Sequence, residues 1–175
     1  MITPYQSSLF LDIYRQDIIN YTRHNFCCEE FPRCKDVLYQ SDKKLFKDER
    51  FKDLKSEYYQ IVEKHFKKEI EVVYEFVWSY LTLKGQTIQE DPWHHHMQFE
   101  FNVDAHVSGI LYFDDTPLGT EFQEKDFRTY TKAIKNRWYI WPSNLIHRPE
   151  PGISKKERLC IATATGIKFK DQGKG

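Results

Sequence analysis

Glu69-Ile70-Glu71-Val72-Val73-Tyr74-Glu75-Phe76-Val77-Trp78-Ser79-Tyr80-Leu81-Thr82-Leu83 is the stretch at which the chain changes its period. It is crowded with β-branched and aromatic residues and stops at Lys84-Gly85, which reads as a long strand and its turn. Upstream the spacing is helical. From Leu9 to about Phe26 apolar residues fall at Phe10, Ile13, Tyr14, Ile18 and Tyr21. From about Asp48 to Lys68, Phe51, Leu54, Tyr58, Ile61, Val62, His65 and Phe66 make a second stripe, with Lys and Glu filling the other faces. His65 on that stripe reads as a packed core residue. Between the two helices, Cys27 to Lys44 reads as a loop with a short helix around Val37-Tyr39.

Downstream, strands are expected over Trp93 to Asp104, Val107 to Phe113, Gly119 to Gln123, Phe127 to Thr131, Asn136 to Trp141 and Arg158 to Phe169. Turn material such as Asp91-Pro92, Asp114-Asp115-Thr116-Pro117 and Pro149-Glu150-Pro151-Gly152 separates them. A succession of strands without intervening helices indicates a sandwich or barrel. The expected architecture is mainly β: residues 1–68 form a helical segment packed on a β-domain that spans residues 69–170.

Composition bounds the function. With 175 residues, 16% aromatic and 30% charged, the chain can bury a core without staples. Lys+Arg and Asp+Glu are equal at 26 each, so no net field draws it to nucleic acid or an anionic membrane. Cys27, Cys28, Cys34 and Cys160 form no CxxC pair and read as reduced thiols. The start has neither a basic nor an apolar leader region, and no apolar run reaches transmembrane length. A cytoplasmic protein is expected.

Chemistry concentrates at Trp93-His94-His95-His96-Met97-Gln98-Phe99-Glu100. A strand sends successive side chains to opposite faces, so His94 and His96 share one face, with Glu100 and Asp104 further along it. His95 turns to the packing face with Trp93 and Met97. Two imidazoles spaced in this way suit a divalent transition metal but are too few to hold it. His147, in Trp141-Pro142-Ser143-Asn144-Leu145-Ile146-His147, is placed by a tight turn at the start of a returning strand. Arg158 opens the apolar run Leu159-Cys160-Ile161-Ala162, where a guanidinium requires an anionic partner.

The ordered set Trp78, Lys84-Gly85, Trp93-His94-x-His96, Ser108-Gly109-Ile110-Leu111-Tyr112, Trp141-Pro142-Ser143-x-Leu145-x-His147, Pro151 and Arg158 resembles the Fe(II)/2-oxoglutarate-dependent oxygenase superfamily. Its nearest likeness is to small oxygenases common in phage and bacterial genomes, and it covers about Val73 to Thr165. The resemblance implies a double-stranded β-helix, or jelly roll, with iron at its mouth. It further implies 2-oxoglutarate as co-substrate, held by Arg158 with Tyr112 nearby, and O₂ consumed to hydroxylate a substrate with release of succinate and carbon dioxide. His94, His96 and His147 map onto the metal ligands. The superfamily pattern has an acid where His96 stands, so Glu100, Asp104 or His106 is a candidate additional ligand. The same residues are also similar to the cupin motifs, where three His and one Glu, here Glu100, bind the metal. A third reading is a jelly roll without catalysis that serves as a binding or virion-associated module.

Overall fold

The structure, a computed structural model, describes residues 1–26 and 39–171. Cys27, Cys28, Cys34 and most of the expected short helix at Val37-Tyr39 lie outside the described residues. Strand β1 (Thr3–Gln6) is followed by helix α1 (Asp12–His24), the short β2 (Tyr39–Gln40), helix α2 (Lys52–Phe66) and the long β3 (Ile70–Thr82). Then come β4 (Thr87–Ile88), β5 (Ala105–Tyr112), β6 (Thr116–Glu124), β7 (Phe127–Ala133), β8 (Arg137–Pro142), β9 (Ile146–Pro149), β10 (Gly152–Ile153) and β11 (Arg158–Phe169). These strands pair antiparallel into a six-stranded sheet ordered β1-β8-β5-β11-β3-β2, a three-stranded sheet ordered β7-β6-β9 and the β10-β4 ribbon. The architecture is the expected jelly roll, mainly β, with two helices on its large sheet. No helix among the described residues is long and apolar enough to cross a membrane.

The two-residue period of the large sheet divides its side chains between two cores. Val77, Leu81, Val107, Leu111, Trp138, Ile140, Leu159 and Ile161 face the helices and pack with Ile18, Leu54, Tyr58 and Val62. Ile110, Tyr112, Tyr139, Trp141 and Cys160 face the other way, toward Phe122 of the small sheet. Burying one side chain of this size contributes about 1.5–3 kcal/mol, so the helix face is fixed chiefly by packing. On α2 the buried positions Leu54, Tyr58, Ile61 and Val62 follow the predicted stripe. Lys67 ends that helix in the left-handed region at φ 54°.

Helix α1 departs from expectation. Its buried residues are Tyr14, Ile18, Ile19, Tyr21 and Thr22, while Phe10 and Ile13 are exposed because Phe10 precedes the helix and Ile13 falls off the buried stripe. The helix is held by charge as well as packing: Arg15 donates to both Asp114 oxygens (2.9 and 3.0 Å) and to Glu157 (2.8 Å). Asp114 in turn accepts the Leu159 N–H at 2.8 Å, which fixes the start of β11 where Arg158 sits. The Glu57 carboxylate on α2 is also buried. It accepts from Ser7 Oγ (2.6 Å), Ser8 N and Oγ (both 2.8 Å) and Trp138 Nε1 (3.0 Å), tying the β1–α1 connection to the sheet.

One expected strand is corrected. Trp93 to Asp104 does not form a continuous strand: only His94 is bridged, residues 95–104 hold no strand, and regular pairing begins at Ala105. Alternating polarity persists there without a continuous ladder to a neighbouring edge. The four-residue β1, unforeseen from the sequence, lies at the sheet edge, where Pro4 costs no ladder hydrogen bond.

Candidate metal centre

His147 is delivered by β9. Its Phe122 partner on β6 points into the inner core, so the side chain of His147 does too. His94 forms an isolated antiparallel bridge to His147, and the two residues exchange backbone hydrogen bonds of 3.1 and 2.9 Å. His96 N–H donates to the Ser143 carbonyl at 3.1 Å, which pins the next turn of chain to the loop before β9. Together these contacts bring three imidazoles to one point: one ring nitrogen from each of His94, His96 and His147 lies within 4.8 Å of the others. The ring centroids are 5.0 Å (His94–His96), 4.8 Å (His94–His147) and 4.8 Å (His96–His147) apart.

Their protonation suits metal binding. Nδ1 of His94 is bonded to the Pro92 carbonyl (3.0 Å) and Nδ1 of His147 to the Leu145 carbonyl (2.9 Å). A carbonyl only accepts, so each Nδ1 carries a proton, and Nε2 is the ring nitrogen left to face a metal. Burial, reinforced by the neighbouring histidines, pushes His96 down to about 2 and His147 down to about 4. Both rings are therefore neutral at neutral pH. Trp78 meets the His96 ring edge-on at 5.1 Å and Trp141 meets that of His147 at 5.2 Å, walling the site with apolar surface.

The three histidines and Arg158 line one cavity. Arg158 is 3% exposed. Nε donates to the Leu118 carbonyl (3.1 Å), Nη2 to the Gly119 carbonyl (3.4 Å), and Nη1 approaches Cys160 Sγ at 3.8 Å. Those carbonyls are turned toward it by a register break in β6 between Thr116 and Thr120. Among the described residues Arg158 has no carboxylate partner, although a buried guanidinium without one is costly. The donor set and this unneutralised cation fit a divalent metal together with a small carboxylate ligand.

Other candidates sit elsewhere. Glu100 is exposed in a turn, and neither it nor any other carboxylate among the described residues joins the three imidazoles. Asp104 accepts the Phe169 N–H at 2.7 Å and caps the end of β11. His106 is bonded through Nδ1 to the Tyr74 hydroxyl at 2.7 Å. The sequence put all three on the histidine face because it assumed an unbroken strand. His95 is exposed rather than packed, its Nδ1 accepting from Met97 N at 3.2 Å. Tyr112 is fully buried behind Arg158, whose guanidinium carbon lies 5.4 Å from its ring centroid. The cavity is lined instead by Thr120, which shares a 2.6 Å hydrogen bond with Tyr112, and by Tyr80 and Thr163. Sequence reasoning missed Thr120, and also Arg148 and Trp93. The last two flank His147 and His94, and the strand period alone puts them on the reverse face.

No protein-family model matches the sequence, and no curated protein matches it significantly. Solved structures do match. A prolyl-4-hydroxylase from Pseudomonas putida is 12% identical with a TM-score of 0.56, over 94% of this chain and 91% of that one. HygX from Streptomyces hygroscopicus, solved with nickel and 2-oxoglutarate bound, is 8% identical with a TM-score of 0.66, over 94% and 82%. The non-heme alpha ketoglutarate dependent epimerase SnoN from nogalamycin biosynthesis is 9% identical with a TM-score of 0.69, over 99% and 82%. At such identities the likeness is one of fold, and it extends over nearly the whole length of the chain.

Proposed function

We propose that this chain is an Fe(II)- and 2-oxoglutarate-dependent oxygenase. The observation that carries the reading is the meeting, in one cavity, of three imidazoles and a buried arginine that has no carboxylate partner among the described residues. In this reading His94, His96 and His147 hold the metal through Nε2 where Nδ1 is already bonded to a carbonyl. Arg158 takes the far carboxylate of 2-oxoglutarate, with Thr120 beside it and Tyr112 backing the guanidinium. Bound iron and 2-oxoglutarate supply the oxidising power, drawn from O₂, that hydroxylates a substrate and leaves succinate and carbon dioxide. Trp78, Ile88 and Trp141 keep bulk water from the centre, and burial of His96 and His147 keeps both lone pairs free of protons. The likeness to HygX, solved with 2-oxoglutarate bound, and to SnoN, an alpha ketoglutarate dependent epimerase, supports the same chemistry. With Glu100 in an exposed turn, a three-His-one-Glu centre finds no support in the geometry.

Calorimetric titration of the purified protein with 2-oxoglutarate, with and without a divalent metal, tests this assignment. Binding that depends on the metal is expected. Equal binding in a chelator, or none in either case, would contradict it.

A further inference from the structure

We propose that Arg148 and Trp93 form a clamp behind the metal ligands that sets the spacing of His94 and His147; the inference rests on the reading of those imidazoles as a metal centre. His94 and His147 face each other across a single bridge, with no strand following on the His94 side through residues 95–104. Two backbone hydrogen bonds hold that bridge, and such bonds add little net stability, so a pair required to hold a metal needs further support. It comes from the opposite face. Trp93 precedes His94 and Arg148 follows His147, and the strand period turns both away from the cavity; neither lines it.

On that outer face the Arg148 guanidinium carbon lies 4.3 Å from the Trp93 ring centroid, within cation–π range. Arg148 is 5% exposed and its orientation is fully determined. Nε donates to Glu121 Oε2 at 2.7 Å, while Nη1 donates to Glu90 Oε1 at 2.8 Å and to the Asp91 carbonyl at 3.2 Å. Glu90, Asp91 and Trp93 belong to the segment that delivers His94, Glu121 to the strand paired with β9, and Arg148 to β9 itself. One guanidinium thus joins all the backbone that carries His94 and His147. The Arg128 guanidinium carbon lies 5.5 Å from the centroid of the same Trp93 ring. Both clamp residues are positioning residues that act through the histidines.

The test uses Zn(II) affinity, measured by competition with a chromophoric chelator, and the visible spectrum of the Co(II)-loaded protein. Trp93→Ala removes the stacking surface, and the charge-balanced pair Arg148→Met with Glu121→Gln removes the fork without leaving a buried carboxylate unpaired. Trp93 is only half-buried, so its removal leaves the folded core in place even should the charge-balanced pair fold poorly. Each variant is expected to bind Zn(II) on the order of 10- to 100-fold more weakly, with an altered Co(II) spectrum, while Trp93→Phe restores most of the affinity. A metal-free unfolding midpoint close to that of the parent shows that the loss is local. Parent-like Zn(II) affinity and an unchanged Co(II) spectrum in Trp93→Ala overturn the clamp alone. Failure of the parent protein itself to bind Zn(II) or Co(II) overturns the metal centre and the clamp with it.

Discussion

Arg158 donates from Nε to the carbonyl of Leu118 at 3.1 Å, and that bond holds a buried cation on the wall of the histidine cavity. The arrangement satisfies part of the guanidinium's hydrogen-bonding capacity with neutral carbonyls and leaves its charge for a ligand. Removing it should therefore cost co-substrate rather than metal. Arg158→Leu is expected to weaken 2-oxoglutarate binding by about 2–5 kcal/mol, the usual loss when one side of a buried charge pair is truncated, while Zn(II) affinity stays within a few-fold. Paired calorimetric titrations read both quantities.

The carbonyls that orient Arg158 depend on a glycine. A Cβ added at Gly119 would lie 1.6 Å from the Thr131 carbonyl oxygen, backbone that cannot step aside without opening the β6–β7 pairing. Gly119→Ala should destabilise the fold by roughly 2–4 kcal/mol and weaken 2-oxoglutarate binding in the folded fraction. Urea unfolding and calorimetry check the two effects separately.

Metal content distinguishes the histidines from the acid once grouped with them. His96→Ala should remove stoichiometric metal, since two imidazoles remain. Glu100→Ala, exposed and outside the cluster, should leave it unchanged. Inductively coupled plasma analysis of both purified variants gives the answer.

How far the sequence carries is seen in these same residues. The strand period correctly divides the large sheet, and the order His94, His96, His147, Arg158 anticipates the four side chains that share the cavity. What it could not supply was the partner of each backbone. Alternating polarity over residues 97–104 looks like a strand, but a strand exists only where another edge pairs with it in register, and from His95 to Asp104 no such ladder forms. Glu100, Asp104 and His106 were misplaced for that reason. Arg148, Trp93 and Thr120 escaped notice because their roles arise from contacts between segments distant in the chain. Phe10 and Ile13, apolar yet exposed, show the same limit for helices.

Acid should unfold the metal-free protein through its buried imidazoles. His147 is held down to about 4 and His96 to about 2 by burial, against an ordinary value near 6.5. Between those values the unfolded chain binds protons that the folded chain does not, so stability falls as pH falls. The contribution is fully present above about 6.5 and declines steadily from there through 4. Urea midpoints measured in a chelator should decrease over that window, and less steeply in His147→Phe.

The central claim is that metal and 2-oxoglutarate meet in this cavity. Anaerobic titration of the Fe(II)-loaded protein with 2-oxoglutarate, followed by visible absorption, addresses it directly. A charge-transfer band that grows to saturation at one equivalent, and is absent in His147→Ala, is the result expected. A spectrum that stays flat although iron is bound stoichiometrically would contradict the account.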